Sequence, residues 1–267
     1  MWSRFEEKGD SWILVLPPYY AWLFRYLDPH GLTWRSNTGF RPTKKGNNEF
    51  AFFPDLDESD VETIQSFIDD FRRYVLLGPN TEAAGQFANG LDFCLALDFN
   101  SPSPEAVARR ERTSAGELEF QAKYKRCARS RAHLAEELAA AFARVPLPDT
   151  GSTLVTCVPC APGRDFYLPD LDESRPELEL LTATLRRPKR ALKDCSIDEK
   201  LREWDDLLRE EEIDLSSEVD GQVVVVLDDL YQSGTSIWAY GQFLKSAGAS
   251  HVLGMVCVKS LRSTDNV

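Results

Sequence analysis

Gln222-Val223-Val224-Val225-Val226-Leu227-Asp228-Asp229-Leu230-Tyr231-Gln232-Ser233-Gly234-Thr235-Ser236 is the stretch whose reading decides the fold of this chain. Residues 222–227 carry a continuous β-branched run, Val223–Val226, the pattern of a parallel strand buried on both faces. Two carboxylates follow where that strand is expected to end. A short loop of small residues comes next, and then a helix with Ile237, Tyr240, Phe243 and Leu244 inward. Ala247-Gly248 closes the helix, and residues 251–258 read as another strand. Strand, loop, helix and strand in this order predict a right-handed parallel crossover, hence an α/β fold.

The chemistry expected of the loop is specific. Ligands of open α/β sheets bind at the carboxyl ends of the strands. Backbone N–H groups at the start of the following helix favour an anion. Gly234 permits close approach of the backbone, while Ser233, Thr235 and Ser236 add hydroxyls. Asp228 and Asp229 repel a phosphate but can accept hydrogen bonds from sugar hydroxyls, or hold Mg²⁺ through oxygen or water ligands. The stretch is neither a Walker A loop nor Gly-x-Gly-x-x-Gly. The plainer alternative is a capped turn at a strand end.

Working outward, residues 153–158 read as a strand running into Cys157-Val158-Pro159-Cys160. A redox role for this CxxC needs a helix opening at the motif, and a zinc site needs a second ligand pair. A loop role fits the Ala161-Pro162-Gly163 that follows. Residues 164–188 lack periodicity and are expected to be a long loop. A capping box begins a helix at Ser196 and Glu199, with Ile197, Leu201, Trp204 and Leu208 on one face. Residues 116–145 read as one long helix with Leu134, Leu138 and Phe142 inward. Its basic middle (Lys123, Lys125, Arg126, Arg129, Arg131) is either a solvated face or a contact for an anionic ligand or partner.

Further upstream, 91–99 is a predicted strand. Ser59 and Glu62 form a capping-box pattern for a helix with Val61, Ile64, Phe67, Ile68, Phe71 and Val75 on one face, ended by Gly78-Pro79. Residues 12–16 read as a short strand. The formal net charge of −12 over 267 residues opposes a general nucleic-acid-binding role. No apolar run approaches the roughly 20 residues that cross a bilayer. With no signal peptide evident and six scattered cysteines, a reduced, cytoplasmic location is expected and a disulfide scaffold is not.

At residues 223–236 the chain resembles the type I phosphoribosyltransferases, whose signature is an apolar strand, two acidic residues and a hydroxyl-rich phosphate loop. It is most similar to the ComF-like, amidophosphoribosyltransferase-related branch. That branch places a Val-Pro loop upstream, as in Cys157–Cys160, and a Leu-Lys-x-Ala-Gly-Ala sequence downstream, as at Leu244-Lys245-Ser246-Ala247-Gly248-Ala249. Gly116-Glu117-Leu118-Glu119-Phe120-Gln121-Ala122-Lys123-Tyr124 resembles the entry of such a domain. Gln232 departs from the family pattern, which has a Thr there, and the Cys-Val-Pro-Cys loop offers few side-chain donors.

The resemblance implies a central parallel sheet flanked by helices over residues 91–267, with residues 1–90 an amino-terminal α+β extension serving as hood or partner-binding region. It implies that Asp228 and Asp229 hold the ribose 2′- and 3′-hydroxyls as the catalytic acidic pair, with Mg²⁺ bound indirectly through ribose oxygens or water. Ser233, Gly234, Thr235 and Ser236 would bind the 5′-phosphate of phosphoribosyl pyrophosphate. Cys157, Val158, Pro159, Cys160 and Arg164 would face the pyrophosphate. The implied activity is Mg²⁺-dependent transfer of phosphoribose to a nitrogen acceptor. The alternative is a catalytically silent, nucleotide-sensing subunit of a multi-protein bacterial system, contacting a protein partner through residues 1–90 or the basic helix 116–145. A homodimer is the implied assembly.

Overall fold

The computed structural model describes residues 3–78, 81–145, 153–159, 178–187, 192, 195–209 and 212–261. The chain divides into two compact units, Met1–Leu76 and Leu77–Val267. The division falls before the 90/91 boundary expected from sequence.

The first unit is an antiparallel sheet with helices. Strands β1 (Arg4–Lys8), β2 (Ser11–Leu16), β3 (Arg41–Pro42) and β4 (Glu49–Pro54) lie in the order β1-β2-β4-β3. Gly9 and Asp10 turn β1 into β2, with Lys8 opposite Ser11 and Gly9 at φ +64°. Only one of these strands was foreseen. Helices α1 (Pro18–Leu27), α2 (Leu32–Arg35) and α3 (Glu58–Phe71) complete the unit. Phe24 lies at the centre of an aromatic core, with its ring 5.0 Å from Phe67 and 6.3 Å from Phe53, both edge-on.

Helix α3 starts earlier than the Ser59–Glu62 pattern predicts. Asp57 accepts the Asp60 N–H at 2.9 Å, and the Asp60 carboxylate accepts the Asp57 N–H at 3.1 Å. This reciprocal cap satisfies two orphan donors, and the Arg35 guanidinium, 2.6 Å from Asp60, neutralises its buried carboxylate. The helix ends at Phe71, well before Gly78, and Val75 begins a strand instead.

The second unit is the α/β part. Its sheet contains β5 (Val75–Leu77), β6 (Phe93–Phe99), β7 (Thr153–Cys157), β8 (Glu179–Leu180), β11 (Val223–Tyr231) and β12 (His251–Lys259). The order is β5-β6-β12-β11-β7-β8, and the pairings from β6 through β12, β11 and β7 to β8 are parallel. Two short strands, β9 (Ala183–Leu185) and β10 (Ile213–Leu215), pair separately and antiparallel. Strands β8 and β9 therefore occupy part of the segment expected to be loop.

The helices of this unit are α4 (Thr81–Phe87), α5 (Pro104–Arg109), α6 (Ser114–Tyr124), α7 (Ala128–Phe142), α8 (Ile197–Arg209) and α9 (Thr235–Ser246). The single helix expected over 116–145 is two. Arg126 adopts φ +52° between α6 and α7, a left-handed conformation that no helix continues through. Among the described residues, no helix is long and apolar enough to cross a membrane.

Strand β11 is the middle of the core. Val223 through Leu227 are each at most 1% exposed. Period-2 alternation sends Val225 and Leu227 to one face, where they line an apolar gap with Leu138 and Phe142 of α7. On the other face, the Thr156 hydroxyl, beside Val226, lies 3.2 Å from the Tyr240 hydroxyl of α9. Each face has its own helix layer.

Candidate functional site

The acidic pair lies inside the strand. β11 continues past Leu227, with Asp228 opposite Val256, Leu230 opposite Val258 and Tyr231 opposite Lys259. Strand alternation therefore sends the two carboxylates to opposite faces of the sheet. Asp228 follows the face of Val226 and Gly254. Its charge joins burial in pushing the Cys94 thiol well up, and its Oδ1 accepts the Asp229 N–H at 2.9 Å. Asp229 follows the face of Leu227, where α6 brings the Lys123 ammonium into an ion pair with it.

Lys123 has a second anion 3.7 Å away, Glu119, one helical turn earlier and only 5% exposed. Burial opposes charge on Lys123, yet Asp229 and Glu119 together reverse this and hold its pKa above the ordinary value. For Glu119 the balance goes the other way. Burial outweighs the attraction of Lys123 and raises its carboxyl from 4.5 to about 7.

A pH dependence follows. Between pH 4.5 and about 7 the folded chain keeps the Glu119 proton while the unfolded chain has lost it. The stability contributed by Glu119 is thus complete below pH 4.5 and is lost as pH rises through 7. A pH series of thermal midpoints should show this decline, and Glu119→Gln should flatten it.

The loop after β11 turns on Gly234, which has φ +78°. A Cβ there would strike the Tyr231 phenol ring, so glycine is required both by conformation and by space. Tyr231 is itself fixed. Its hydroxyl donates to the Gly78 carbonyl and accepts the Trp238 indole N–H at 3.1 Å. Helix α9 then begins at Thr235, with Gly234 at its cap position and so no cap side chain of its own. Its leading N–H groups form the type of end that suits an anion.

The hydroxyls gather at that end. Ser233 and Thr235 are buried, with their oxygens 3.1 Å apart, and Ser233 Oγ accepts the Thr235 N–H at 3.4 Å. Ser236 Oγ accepts the indole N–H of the fully buried Trp204 at 3.0 Å. That bond leaves the Ser236 proton to donate elsewhere. The apolar spacing of α8 predicts Trp204 as core; its polar edge against the loop was not legible.

Two lysines complete the site, and neither was placed there from sequence. Lys123 appeared only as one of a basic run. Lys259 lies beyond the predicted end of its strand; its ammonium donates to the Gln232 carbonyl at 3.1 Å and sits 5.0 Å from the centre of the Tyr231 ring. Burial lowers its pKa to about 8.

Of the expected pyrophosphate loop, Cys157 pairs with Leu227, and the Val158 N–H donates to the Leu227 carbonyl at 3.0 Å. Cys157 and Val158 thus lie beside Leu227, the residue that precedes the acidic pair. Cys160 and Arg164 lie outside the described residues. Among the described residues, no group of three or more His, Cys, Asp or Glu side chains could hold a metal ion. Asp228 and Asp229 face apart and Asp229 carries an ammonium, so together they do not form a chelating pair.

No protein-family model matches this chain, and no curated protein matches it. Solved structures align with parts of it. A hypoxanthine phosphoribosyltransferase from Staphylococcus aureus aligns at 16% identity and TM-score 0.33, over 51% of this chain and 66% of its own. An HGPRT-ase from Leishmania tarentolae in complex with GMP gives 12% and 0.32, over 51% and 67%. A hypoxanthine phosphoribosyltransferase from Trypanosoma cruzi gives 10% and 0.33, over 57% and 72%. Such values assign no family, and the α/β architecture described above rests on the strand order and pairings of this chain.

Proposed function

We propose that the second unit binds a phosphoribosyl ligand, either phosphoribosyl pyrophosphate or a ribose-5-phosphate nucleotide, at the carboxyl end of β11. One observation carries this reading. The start of α9 follows a left-handed glycine, carries the hydroxyls of Ser233, Thr235 and Ser236, and comes just after a strand that ends in two carboxylates and a Leu-Tyr pair. An anion and a polyhydroxylated sugar in one molecule match that combination. Ser233, Gly234, Thr235 and Ser236 take the 5′-phosphate, and Asp228 and Asp229, on opposite faces of β11, take different hydroxyls of a ribose that lies across the strand edge beyond the last β7 pairing at Leu227. Cys157, Val158 and Pro159 follow on from the pairing at Leu227, and they are assigned, together with Cys160 and Arg164, to the pyrophosphate of the ligand.

Mg²⁺, in this reading, arrives on the oxygens of the ligand, with the carboxylates reaching it through ribose oxygens or water. In a transferase, the chain would act by positioning the sugar and stabilising the departing pyrophosphate. Transfer to a nitrogen acceptor, in the manner of the type I phosphoribosyltransferases and their ComF-like branch, is the catalytic form of the proposal. The Cys157-Val158-Pro159-Cys160 sequence, with few side-chain donors for a pyrophosphate, favours a second form, a silent nucleotide-sensing subunit. Partner contact would then use residues 1–90 or α6 and α7.

Incubation with phosphoribosyl pyrophosphate, Mg²⁺ and a mixture of bases and amines separates the two forms. Pyrophosphate release is expected of the transferase. Calorimetric binding without release under any acceptor would leave the sensing form. Absence of binding would remove both.

A further inference from the structure

We propose that Lys123 is a positioning residue of the phosphoribosyl site, holding the Asp229 carboxylate in the orientation that reads a ribose hydroxyl. This inference rests on the ligand reading given above and extends it to a residue outside the loop.

The geometry begins at the start of α6. Thr113 accepts the Gly116 N–H at 3.1 Å and donates its hydroxyl to the Phe99 carbonyl at the end of β6. Gly116 has no room for a side chain, since a Cβ would strike the Asn100 carbonyl. The helix is therefore fixed against the sheet at its first turn. About two turns later it delivers Lys123 to β11.

A lysine on a surface helix normally swings through many rotamers, and ordering it costs about 2 kcal/mol. Lys123 is constrained at its charged end by two carboxyl groups on different elements, Glu119 of α6 and Asp229 of β11, and its side chain is 23% exposed. Arg112, another cation near this cluster, is 3.4 Å from Glu117 and stacks 3.8 Å from the Phe120 ring centre, while its charge also acts on Glu119. Lys123 is thus the ammonium that meets Asp229. A carboxylate has about four acceptor positions, so one ammonium orients it and leaves others for a hydroxyl. A carboxylate held this way requires no reorientation when the sugar arrives.

Sugar selectivity tests the role, because a purely structural ion pair would not alter it. Affinities of the full chain would be measured by calorimetry for ribose 5-phosphate and its 2-deoxy and 3-deoxy analogues. In the unaltered protein each missing hydroxyl is expected to cost about tenfold. Lys123→Met is expected to lower one of these ratios to about twofold, leaving the other in place. Both ratios unchanged in the variant would overturn the proposal. Should the variant lose its near-UV circular dichroism, the same ratios are read on Lys123→Met with Glu119→Gln, which removes the buried charge left behind. An unaltered protein that fails to bind ribose 5-phosphate, or ignores both hydroxyls, would instead defeat the underlying ligand reading, and that result is visible without any variant.

Discussion

Replacing Asp228 and Asp229 together by Asn is expected to weaken ribose 5-phosphate binding about a hundredfold while leaving the fold intact. A hydrogen bond to a charged acceptor contributes about 1.5–3 kcal/mol against about 0.5–1.5 kcal/mol to a neutral amide, so the two changes together remove about 2–3 kcal/mol. The fold should survive for separate reasons at the two positions. An amide oxygen at 228 can still accept the neighbouring N–H, the contact that Asp228 Oδ1 makes at 2.9 Å. At 229 the ammonium of Lys123 retains Glu119, 3.7 Å away. Unchanged affinity, with near-UV circular dichroism also unchanged, would remove the acidic pair from the site.

Gly234→Ala should be the most damaging single substitution at the loop. The left-handed conformation at φ +78° costs a residue with a Cβ about 1–2 kcal/mol. Collision with the Tyr231 ring adds about 1–3 kcal/mol of overpacking. The two together should lower the thermal midpoint by roughly 4–20 °C. Phosphate-dependent binding should fall further than stability, because relief of the clash must move either the ring or the first N–H groups of α9. A variant with native affinity and native midpoint would show that the loop tolerates a Cβ.

How much of this was written in the sequence differs by element. The central strand, the loop and the helix after it were legible because their signals are local. Val223 to Leu227 can only be a buried strand, Gly234 punctuates, and the α9 apolar face repeats at helical spacing. The capping box at Ser196 was equally readable; Ser196 and Glu199 exchange the expected bonds, with Ser196 N–H donating to Glu199 at 2.9 Å.

Tertiary partners were not legible. Nothing in Lys123 distinguishes it from Lys125 or Arg129 until α6 is packed on the sheet and one of them meets Asp229. The continuation of β11 to Tyr231 was hidden because acidic residues are poor strand formers, and pairing with β12 overrides that preference. In the first unit, aromatic-rich segments disguised an antiparallel sheet; β4 alternates only over a few residues, with Ala51 and Phe53 inward.

The bond from Tyr231 to the Gly78 carbonyl determines where the second unit can be cut for separate expression. A fragment starting at residue 91, where composition alone invites the cut, would discard β5, α4 and the acceptor of the phenol that lies beneath Gly234. Its phosphate loop would be weakened by a deletion distant in sequence, and negative binding results from such a fragment would say nothing about the ligand. A fragment that begins ahead of Val75 keeps the edge strand and the carbonyl together.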